Sequence, residues 1–338
     1  MEQRQLGRSG LKVSAFCLGA MTFGESQTFM KGVTAPDDEA RRMLDAALAA
    51  GVDFVDTADV YSDGKSEELL GQWLGIRRRD VILATKCRFA LGTSKPRPMD
   101  QGLSRRHILQ ACEDSLRRLK TDWIDLYQVH MQDRATPIDE TLRALDDLVR
   151  SGKVRYIGCS NYAGYRLTES LWQSDRRNLV RYESVQLQWS LLERGAEREV
   201  IPACRAFELG VMVWSPLGRG LLSGKYAKDQ APPPGSRLEA WKDSYAKYNN
   251  ERTWQVVDAV RSVARELEST PPRVALAWLL ARREVSSVIL GARTVNQLED
   301  NLAASSVKLS PQHLEKLDRI SEPTWAYPYD FIGMREPW

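Results

Sequence analysis

Histidine is scarce in this sequence, and its cysteines lack the close spacing that metal sites and dithiol redox motifs require. The 338 residues include three histidines and five cysteines, which are scattered and form no CxxC pair. This pattern argues against a metal site. It indicates reduced, buried thiols, which are typical of a protein in the cytosol. We therefore expect no bound metal and a cytoplasmic location.

Long apolar runs and a strong charge of either sign are also missing. No apolar stretch approaches the roughly 18 residues of a membrane-spanning helix, and the first ten residues, MEQRQLGRSG, lack the apolar segment of a signal peptide. The formal net charge is only +3, too small a surplus to indicate an anionic partner. The sequence therefore favours a protein that binds neither nucleic acid nor membranes.

Short β-rich strings alternate with amphipathic helical patterns almost from end to end. Ile138, Leu142, Leu145 and Val149, for example, have the spacing of one helix face. Strands that alternate with single helices pair in parallel through right-handed crossovers. The predicted strands are Lys12–Leu18, Asp53–Val55, Val81–Thr85, Ile124–Val129, Val154–Gly158, Ser184–Leu187, Val211–Val213 and Ser287–Leu290.

Eight such units fit a closed barrel better than an open doubly wound sheet, which usually has fewer strands. We therefore predict an α/β protein, a (β/α)8 TIM barrel formed as a single domain by residues 1–338. Long loops follow predicted strands 1, 3 and 7, and the last of these contains an insertion at residues 219–250. An aromatic and proline-rich tail occupies residues 321–338.

Two runs match nucleotide-binding motifs only in part, and two common hydrolase motifs are absent. The run Gly218-Arg-Gly220-Leu-Leu-Ser223 begins like a dinucleotide fingerprint but lacks its third glycine. Gly224-Lys225 resembles the end of a phosphate-binding loop, but the flanking residues do not fit. Neither HExxH nor GxSxG occurs. These observations exclude a Rossmann fold, a P-loop and the hydrolases that those motifs define.

Four chemically useful side chains lie just past the ends of three consecutive predicted strands. Asp56 and Tyr61 follow the second strand, Lys86 the third and His130 the fourth. In a parallel barrel all strand carboxyl ends open on one face, where active sites form. Singly, each has a structural explanation as a turn, packing, solvated or core residue. Together and in this order, they favour a catalytic site.

The chemistry of these residues suits carbonyl reduction. Hydride addition to a carbonyl leaves an alkoxide that must be stabilised and protonated. Tyr61 can supply the proton, but the ordinary tyrosine pKa of about 10 is high. We expect Lys86 to lower the pKa of Tyr61, and Asp56 to hold the lysine charged. His130 can donate a second hydrogen bond to the carbonyl oxygen.

The run from Gly51 to Tyr61, GVDFVDTADVY, resembles the signature of the aldo-keto reductase family. Lys86 and His130 match the family's lysine and histidine, which completes its Asp–Tyr–Lys–His tetrad. The similarity covers about residues 4–320. Within the family, the chain resembles in particular the potassium-channel β-subunit-like branch. It implies a barrel that reversibly transfers a hydride from NADPH to an aldehyde or ketone. Further similar blocks are Leu18–Gly24, Gly152–Asn161, Trp214–Lys225 and Gly291–Asn301.

The resemblance also implies where NADPH binds. The implied residues are Gly19, Ala20, Met21 and Thr22 beside the nicotinamide; Ser160, Asn161 and Gln186 at its carboxamide; Trp214 on the ring; Ser215, Leu217, Gly218, Gly220 and Lys225 around the pyrophosphate; Arg293 at the 2′-phosphate; Gln297, Asp300 and Asn301 near the adenine; and, without a particular place on the cofactor, Asp56 and Gly291. Arg293, expected at the start of the eighth helix, implies a preference for NADPH over NADH. Trp214 stands where tyrosine or phenylalanine is frequent in the family.

The substrate is not specified by these residues. The loops at 23–31, 89–102 and 219–250 and the tail at 321–338 are expected to wall the pocket. Their aromatic and methionine content favours an apolar or ring-bearing carbonyl compound. We favour an enzyme over a non-catalytic protein. The enzyme can be a homo-oligomer. The alternatives are a redox-sensing NADPH-binding subunit, disfavoured by the lack of an extended N-terminal segment, and a barrel of unrelated chemistry.

Overall fold

The computed structural model describes residues 1–27, 30–92 and 95–335. Its strands are β1 (Gln3–Gln5), β2 (Lys12–Ser14), β3 (Phe16–Gly19), β4 (Phe54–Asp56), β5 (Ile82–Cys87), β6 (Ile124–Val129), β7 (Val154–Ser160), β8 (Tyr182–Gln188), β9 (Gly210–Trp214) and β10 (Val285–Leu290). Its α-helices are α1 (Asp37–Ala49), α2 (Lys65–Leu74), α3 (Arg105–Leu119), α4 (Ile138–Arg150), α5 (Gly164–Arg177), α6 (Val200–Ala206), α7 (Arg237–Ala240), α8 (Lys242–Tyr248), α9 (Glu251–Glu266), α10 (Pro271–Leu280), α11 (Val295–Leu302), α12 (Pro311–Ser321) and α13 (Tyr329–Gly333).

Strands β3 to β10 form a closed barrel in chain order, and β10 pairs with β3 to complete it. All of these pairings are parallel. Helices occupy the connections between the strands, as parallel pairing requires. The predicted (β/α)8 barrel is therefore confirmed, and each predicted strand overlaps one strand of the barrel.

The first predicted strand, Lys12–Leu18, is wrong as a single element. The structure divides it into β2, which pairs antiparallel with β1, and β3, which enters the barrel. The division falls where Ser14 N donates to Asp53 Oδ1 at 2.9 Å and Ser14 Oγ donates to Phe16 O at 2.6 Å. A short β-rich string does not reveal that its two halves pair with different partners, so the pattern of residues 12–18 does not predict this break.

The inside of the barrel contains its own small apolar cluster beneath the carboxyl ends of the strands. Cys17, Phe54, Ala84, Leu126 and Met212 each come from a different strand and are fully buried. The helices bury their apolar faces on the outside of the barrel, as the predicted spacing in α4 requires. The interior of the barrel below the strand ends is thus filled with side chains.

The insertion at 219–250 and the tail at 321–338 contain short helices. The insertion includes α7 and α8, and the tail includes α13. Positions 28–29, 93–94 and 336–338, which belong to two predicted pocket loops and the tail, lie outside the described residues. Within the described ranges, no helix is both long enough and apolar enough to cross a membrane.

Helices α2 and α3 approach each other closely at Gly71, which gives a test of the packing. A Cβ atom on Gly71 would lie 2.4 Å from the Arg118 carbonyl oxygen and 2.6 Å from the Leu119 carbonyl carbon. Alanine stabilises a helix by about 1 kcal/mol relative to glycine, but backbone atoms cannot move aside. We expect Gly71→Ala to lower the free energy of unfolding by about 2 kcal/mol, the usual cost of overpacking.

Urea denaturation followed by tryptophan fluorescence measures this change. Gly10→Ala is the matched control, because nothing lies within 4 Å of a Cβ atom at that position. It should change stability by less than about 0.5 kcal/mol. Equal stability of the two variants would contradict the close approach of α2 and α3.

Candidate active site

A cavity of about 1240 Å³ opens at the carboxyl ends of the barrel strands. The ends of β3, β4, β7 and β10 contribute Gly19, Asp56, Ser160 and Leu290 to its wall. The face is the one at which active sites of this architecture form. The cavity is therefore the candidate site, and it is large enough for a dinucleotide together with a small substrate.

Most of the predicted site residues meet in this cavity. Three of them do not line it. Ala20 and Gly218 are buried in the turns that they belong to, and Lys86 is fully buried behind Asp56 and Tyr61. The predicted residues that line the cavity are Gly19, Met21, Thr22, Asp56, Tyr61, His130, Ser160, Asn161, Gln186, Trp214, Ser215, Leu217, Gly220, Lys225, Gly291, Arg293, Gln297, Asp300 and Asn301.

Lys86 contacts two of the other three members of the predicted tetrad, Asp56 and Tyr61. Its Nζ lies 2.6 Å from Asp56 Oδ2, 2.7 Å from the Thr57 carbonyl oxygen and 3.2 Å from the Tyr61 hydroxyl. Asp56 and Lys86 lie inside β4 and β5, not beyond them as predicted. The two strands are neighbours in the barrel, so the ion pair is formed across a strand pairing.

The second oxygen of Asp56 is held by two amides from more distant strands. Gln128 Nε2 donates to Asp56 Oδ1 at 3.0 Å, and Gln186 Nε2 donates to the same atom at 2.9 Å. Charged hydrogen bonds of this kind are stronger than neutral ones. The carboxylate is thus fixed in position by residues of β5, β6 and β8.

Opposing electrostatic effects act on Lys86 and Tyr61. Burial would lower the pKa of Lys86, but the charges of Asp56 and Tyr61 outweigh burial, and the pKa of Lys86 is raised. Burial raises the pKa of Tyr61 by more than the Lys86 ammonium lowers it. Lys86 therefore acts on the pKa of Tyr61 in the expected direction, but the net shift of that pKa is upward. The hydroxyl keeps its proton at neutral pH, which suits a proton donor.

His130 lies beside Tyr61 at the mouth of the barrel. Its ring centre is 5.7 Å from that of Tyr61 and 5.1 Å from that of Phe89. Burial, with the charges of Lys86 and Arg88, holds the pKa of His130 well below its ordinary value. Its Nδ1 is buried and has no hydrogen-bond partner in the described part of the chain. A neutral imidazole here can donate one hydrogen bond to a bound molecule.

The turn after β9 contains several residues in the left-handed region. Ser215, Gly218, Arg219 and Gly220 have φ values of 53°, 55°, 59° and 99°. The N–H groups of Gly218, Arg219 and Gly220 donate within the turn, to Ser215 O, Ser215 Oγ and Leu217 O. Gly218 and Gly220 adopt these angles without a steric penalty. The backbone donors of the turn are therefore satisfied, and the side chains around it are left to bind an anionic group.

Four cationic side chains line the same cavity: Arg219, Lys225, Arg237 and Arg293. None of them forms an ion pair with a carboxylate in residues 1–27, 30–92 and 95–335. Burial, with the charges of Arg237 and Arg293, lowers the pKa of Lys225. Unpaired cations that repel one another favour a polyanionic ligand. Sequence reasoning missed Arg219 and Arg237, because a sequence does not show which charges lack a partner.

The end of the cavity near α11 differs in detail from the prediction. Arg293 precedes α11 instead of starting it, and the helix is capped by Thr294, whose side chain accepts from Gln297 N. Asp300 already pairs with Arg273 at 2.7 Å, so it offers less of its charge to a ligand. Arg293 Nη1 donates to the Gly235 carbonyl oxygen of the insertion at 2.6 Å. The insertion therefore spans this end of the cavity.

The predicted pocket walls are only partly correct. Phe89 and the insertion line the cavity, but no described residue of 23–31, of 90–102 or of the tail does. Phe23 is buried and packs against Trp73 at 5.9 Å between ring centres. In the tail, the Tyr329 hydroxyl bonds to Glu199. Through these contacts, Phe23 and Tyr329 pack outside the cavity.

Comparison with known proteins decides the family. The sequence model of the aldo/keto reductase family matches residues 15–322. The chain belongs to the aldo/keto reductase family. This confirms the resemblance that rested on the run from Gly51 to Tyr61, and it places the chain among oxidoreductases.

The relatives of this aldo/keto reductase family member cover nearly its whole length. "Uncharacterized oxidoreductase YrpG" of Bacillus subtilis is 40% identical over 95% of this chain and 96% of the relative. "Probable voltage-gated potassium channel subunit beta" of rice, Oryza sativa, is 36% identical over 95% and 96%. "Versiconal hemiacetal acetate reductase" of Aspergillus parasiticus is 33% identical over 97% and 99%.

The low pKa of His130 predicts its titration. We expect its imidazole to remain neutral as the pH is lowered through about 6.5, where an ordinary histidine gains a proton. Because the folded pKa lies below that of the unfolded chain, protonation favours unfolding, and this residue lowers stability as the pH falls below about 6.5.

NMR of imidazole carbons in histidine-labelled protein, assigned with His130→Gln, measures the titration. His107 provides an internal comparison, since burial also lowers its pKa. A His130 signal that titrates at or above about 6.5 would contradict the buried, cation-flanked environment.

Proposed function

We propose that this protein reduces aldehydes or ketones with NADPH, and that it oxidises the corresponding alcohols in reverse. One observation carries the proposal: the buried Lys86 ammonium contacts both Asp56 and the Tyr61 hydroxyl at the floor of the cavity. A tyrosine that faces a cavity and touches a fixed ammonium can donate a proton and leave a stabilised phenolate.

The residues present fit a dinucleotide with an extra phosphate. NADPH carries about two negative charges on its diphosphate and about two more on its 2′-phosphate. The cavity supplies four unpaired cations, Arg219, Lys225, Arg237 and Arg293. A Cβ atom on Gly19 would lie 2.7 Å from Ile289 Cγ2, so a side chain does not fit at this position on the cavity wall. The charge balance favours NADPH over NADH.

The chain's own residues would act on the carbonyl oxygen. Bound NADPH supplies the hydride that reaches the carbonyl carbon. The Tyr61 hydroxyl gives its proton to the oxygen as negative charge develops there. Lys86 stabilises the phenolate that remains, and Asp56 keeps Lys86 charged and in place. The neutral His130 donates a hydrogen bond that orients the oxygen.

The substrate that we propose is an apolar or ring-bearing carbonyl compound. Val60, Phe89 and Trp214 line the cavity together with Tyr61 and His130. Phe89 lies directly beside His130, so a bound carbonyl group would be next to an aromatic ring. Sites of this kind accept apolar groups and fix them with a few polar contacts.

A regulatory role is the second candidate, and the rice relative named as a channel subunit favours it. In that case NADPH would bind but turn over slowly. Nothing in the tetrad geometry favours slow turnover, because Tyr61 faces the cavity and Lys86 is in contact with it. Steady consumption of NADPH with a panel of aldehydes separates the two functions.

Removing the Tyr61 hydroxyl tests the catalytic assignment. We expect Tyr61→Phe to lower kcat for aldehyde reduction at least 100-fold, since a general acid typically contributes 10²- to 10⁴-fold. Cofactor binding, followed by quenching of tryptophan fluorescence, should be unchanged. Rates are measured by loss of NADPH absorbance.

Tyr182→Phe is the matched control. Tyr182 is fully buried and its hydroxyl contacts that of Tyr162 at 3.2 Å, outside the cavity. We expect it to retain kcat. Near wild-type turnover by Tyr61→Phe would show that another group protonates the product.

Arg293 tests the choice of cofactor. A charge-assisted hydrogen bond contributes about 1.5–3 kcal/mol, and guanidinium groups bind phosphates through two such bonds. We expect Arg293→Ala to raise the Kd of NADPH by about 10- to 100-fold and to leave the Kd of NADH nearly unchanged. Calorimetric titration with each nucleotide measures both constants.

Arg283→Ala is the control, since this side chain is 74% exposed and pairs with Glu284. It should change neither constant. Equal wild-type affinities for the two nucleotides, or equal losses in Arg293→Ala, would count against NADPH as the cofactor.

A further inference from the structure

Gln128 is a polar side chain buried inside the barrel. It belongs to β6, is fully buried and does not line the cavity. Its neighbours in register are Lys86 on β5 and Gly158 on β7. A Cβ atom on Gly158 would lie 3.3 Å from Gln128 Cγ and 2.7 Å from Ser184 Oγ, so the glycine leaves room for both side chains. Burial of an amide is costly unless its groups are bonded, so the partners of Gln128 explain its position.

The amides of Gln128 and Gln186 can be oriented in only one consistent way. An ionised carboxylate accepts hydrogen bonds and donates none, so both amides turn their NH₂ groups toward Asp56 Oδ1, at 3.0 and 2.9 Å. The NH₂ group of Gln186 also donates to Gln128 Oε1, at 3.2 Å. Both N–H bonds of Gln186 are thus used inside the protein. Because Gln186 lines the cavity, its amide oxygen is the group that remains for a bound molecule.

The two amides also decide where the Lys86 ammonium lies. Lys86 Nζ lies 2.6 Å from Asp56 Oδ2, 2.7 Å from the Thr57 carbonyl oxygen and 3.2 Å from the Tyr61 hydroxyl. The contact with Tyr61 is the longest of the three, so it is the easiest to lose. Two N–H donors on Asp56 Oδ1 offset the negative charge of that atom. Without one of them, Oδ1 would attract the ammonium away from the Tyr61 hydroxyl.

We propose that Gln128 is a positioning residue for the reaction: by holding Asp56 and orienting Gln186, it keeps the Lys86 ammonium on the Tyr61 hydroxyl. This inference rests on the proposed function. Gln128 does not line the cavity, so it acts through its neighbours. It also fixes the oxygen of Gln186 as the acceptor for a hydrogen-bond donor in the cavity, and the carboxamide NH₂ of a nicotinamide is such a donor.

Two substitutions and one control test the proposal. Gln128→Met has a side chain of similar length but no N–H group for Asp56. Gln128→Glu keeps the shape, and its carboxyl group can donate to Asp56 only while it is protonated. Ser184→Ala is the control, because Ser184 borders the same space beside Gly158 and is fully buried, and its Oγ has no hydrogen-bond partner in the described part of the chain. Thermal melting without nucleotide checks that each variant is folded.

We expect Gln128→Met to lower kcat for aldehyde reduction by about 10- to 100-fold at every pH, with little change in KM, because one hydrogen bond to a charged group is lost. Gln128→Glu should keep most of the wild-type kcat at about pH 5 and lose it as the pH rises, because burial beside Asp56 raises the pKa of the introduced carboxyl above its ordinary value of about 4.3. Ser184→Ala should match the wild type throughout. All rates are compared with the wild type at the same pH.

Nucleotide binding gives a second measurement that does not depend on turnover. Calorimetry compares NADP⁺ with its 3-acetylpyridine analogue, in which a methyl ketone replaces the carboxamide and its NH₂ group. The wild type should prefer NADP⁺ by about 3- to 10-fold, the contribution of one neutral hydrogen bond. Gln128→Met should lose most of this preference, because Gln186 can then turn its amide over.

Wild-type kcat in both Gln128 variants would overturn the proposal and leave the proposed function intact. Equal losses in the two variants with no dependence on pH would also overturn it, since Gln128 would then only fill space. A comparable loss in Ser184→Ala would do the same. If the wild-type protein neither bound NADP⁺ nor reduced any aldehyde, the proposed function would fall and this inference with it.

Discussion

The buried ion pair of Lys86 and Asp56 is the interaction on which the upper half of the barrel depends. An unpaired charge in that position would cost several kcal/mol. The pair is stable because β4 and β5 are neighbours in register and because Gln128 and Gln186 bind the second carboxylate oxygen. Four strands must therefore close correctly before the charge is satisfied. The same closure brings the Tyr61 hydroxyl within 3.2 Å of the ammonium.

The two ends of the cavity differ in how their charges are compensated. At the floor, Asp56 neutralises Lys86, and the remaining groups, Tyr61 and His130, are uncharged at neutral pH. Along the wall, four cations have no carboxylate partner in the described residues. A cavity floor whose charges are neutralised suits proton transfer to a neutral molecule. A cavity wall with unpaired positive charges suits a polyanion.

Residues with positive φ lie next to both parts of the site, as well as at helix ends such as Lys120 and Asn178. Ser62 and Asp63, directly after Tyr61, have φ values of 48° and 55°, and Ser62 Oγ donates to the Gly24 carbonyl oxygen at 2.9 Å. The turn around Arg219 shows the same feature. Such conformations persist only where surrounding contacts over-determine them. Next to the site, these contacts come from loops at the carboxyl face.

The sequence by itself determined the eight βα units, because the period of apolar residues is a local property. It also determined that Asp56, Tyr61, Lys86 and His130 meet, because parallel strand ends share one face. Only the tertiary structure decided the sign of the Tyr61 pKa shift, the split of residues 12–18 between two sheets, and the presence of Arg219 and Arg237 in the cavity. These depend on burial depth and on partners distant in the chain, which no local pattern records.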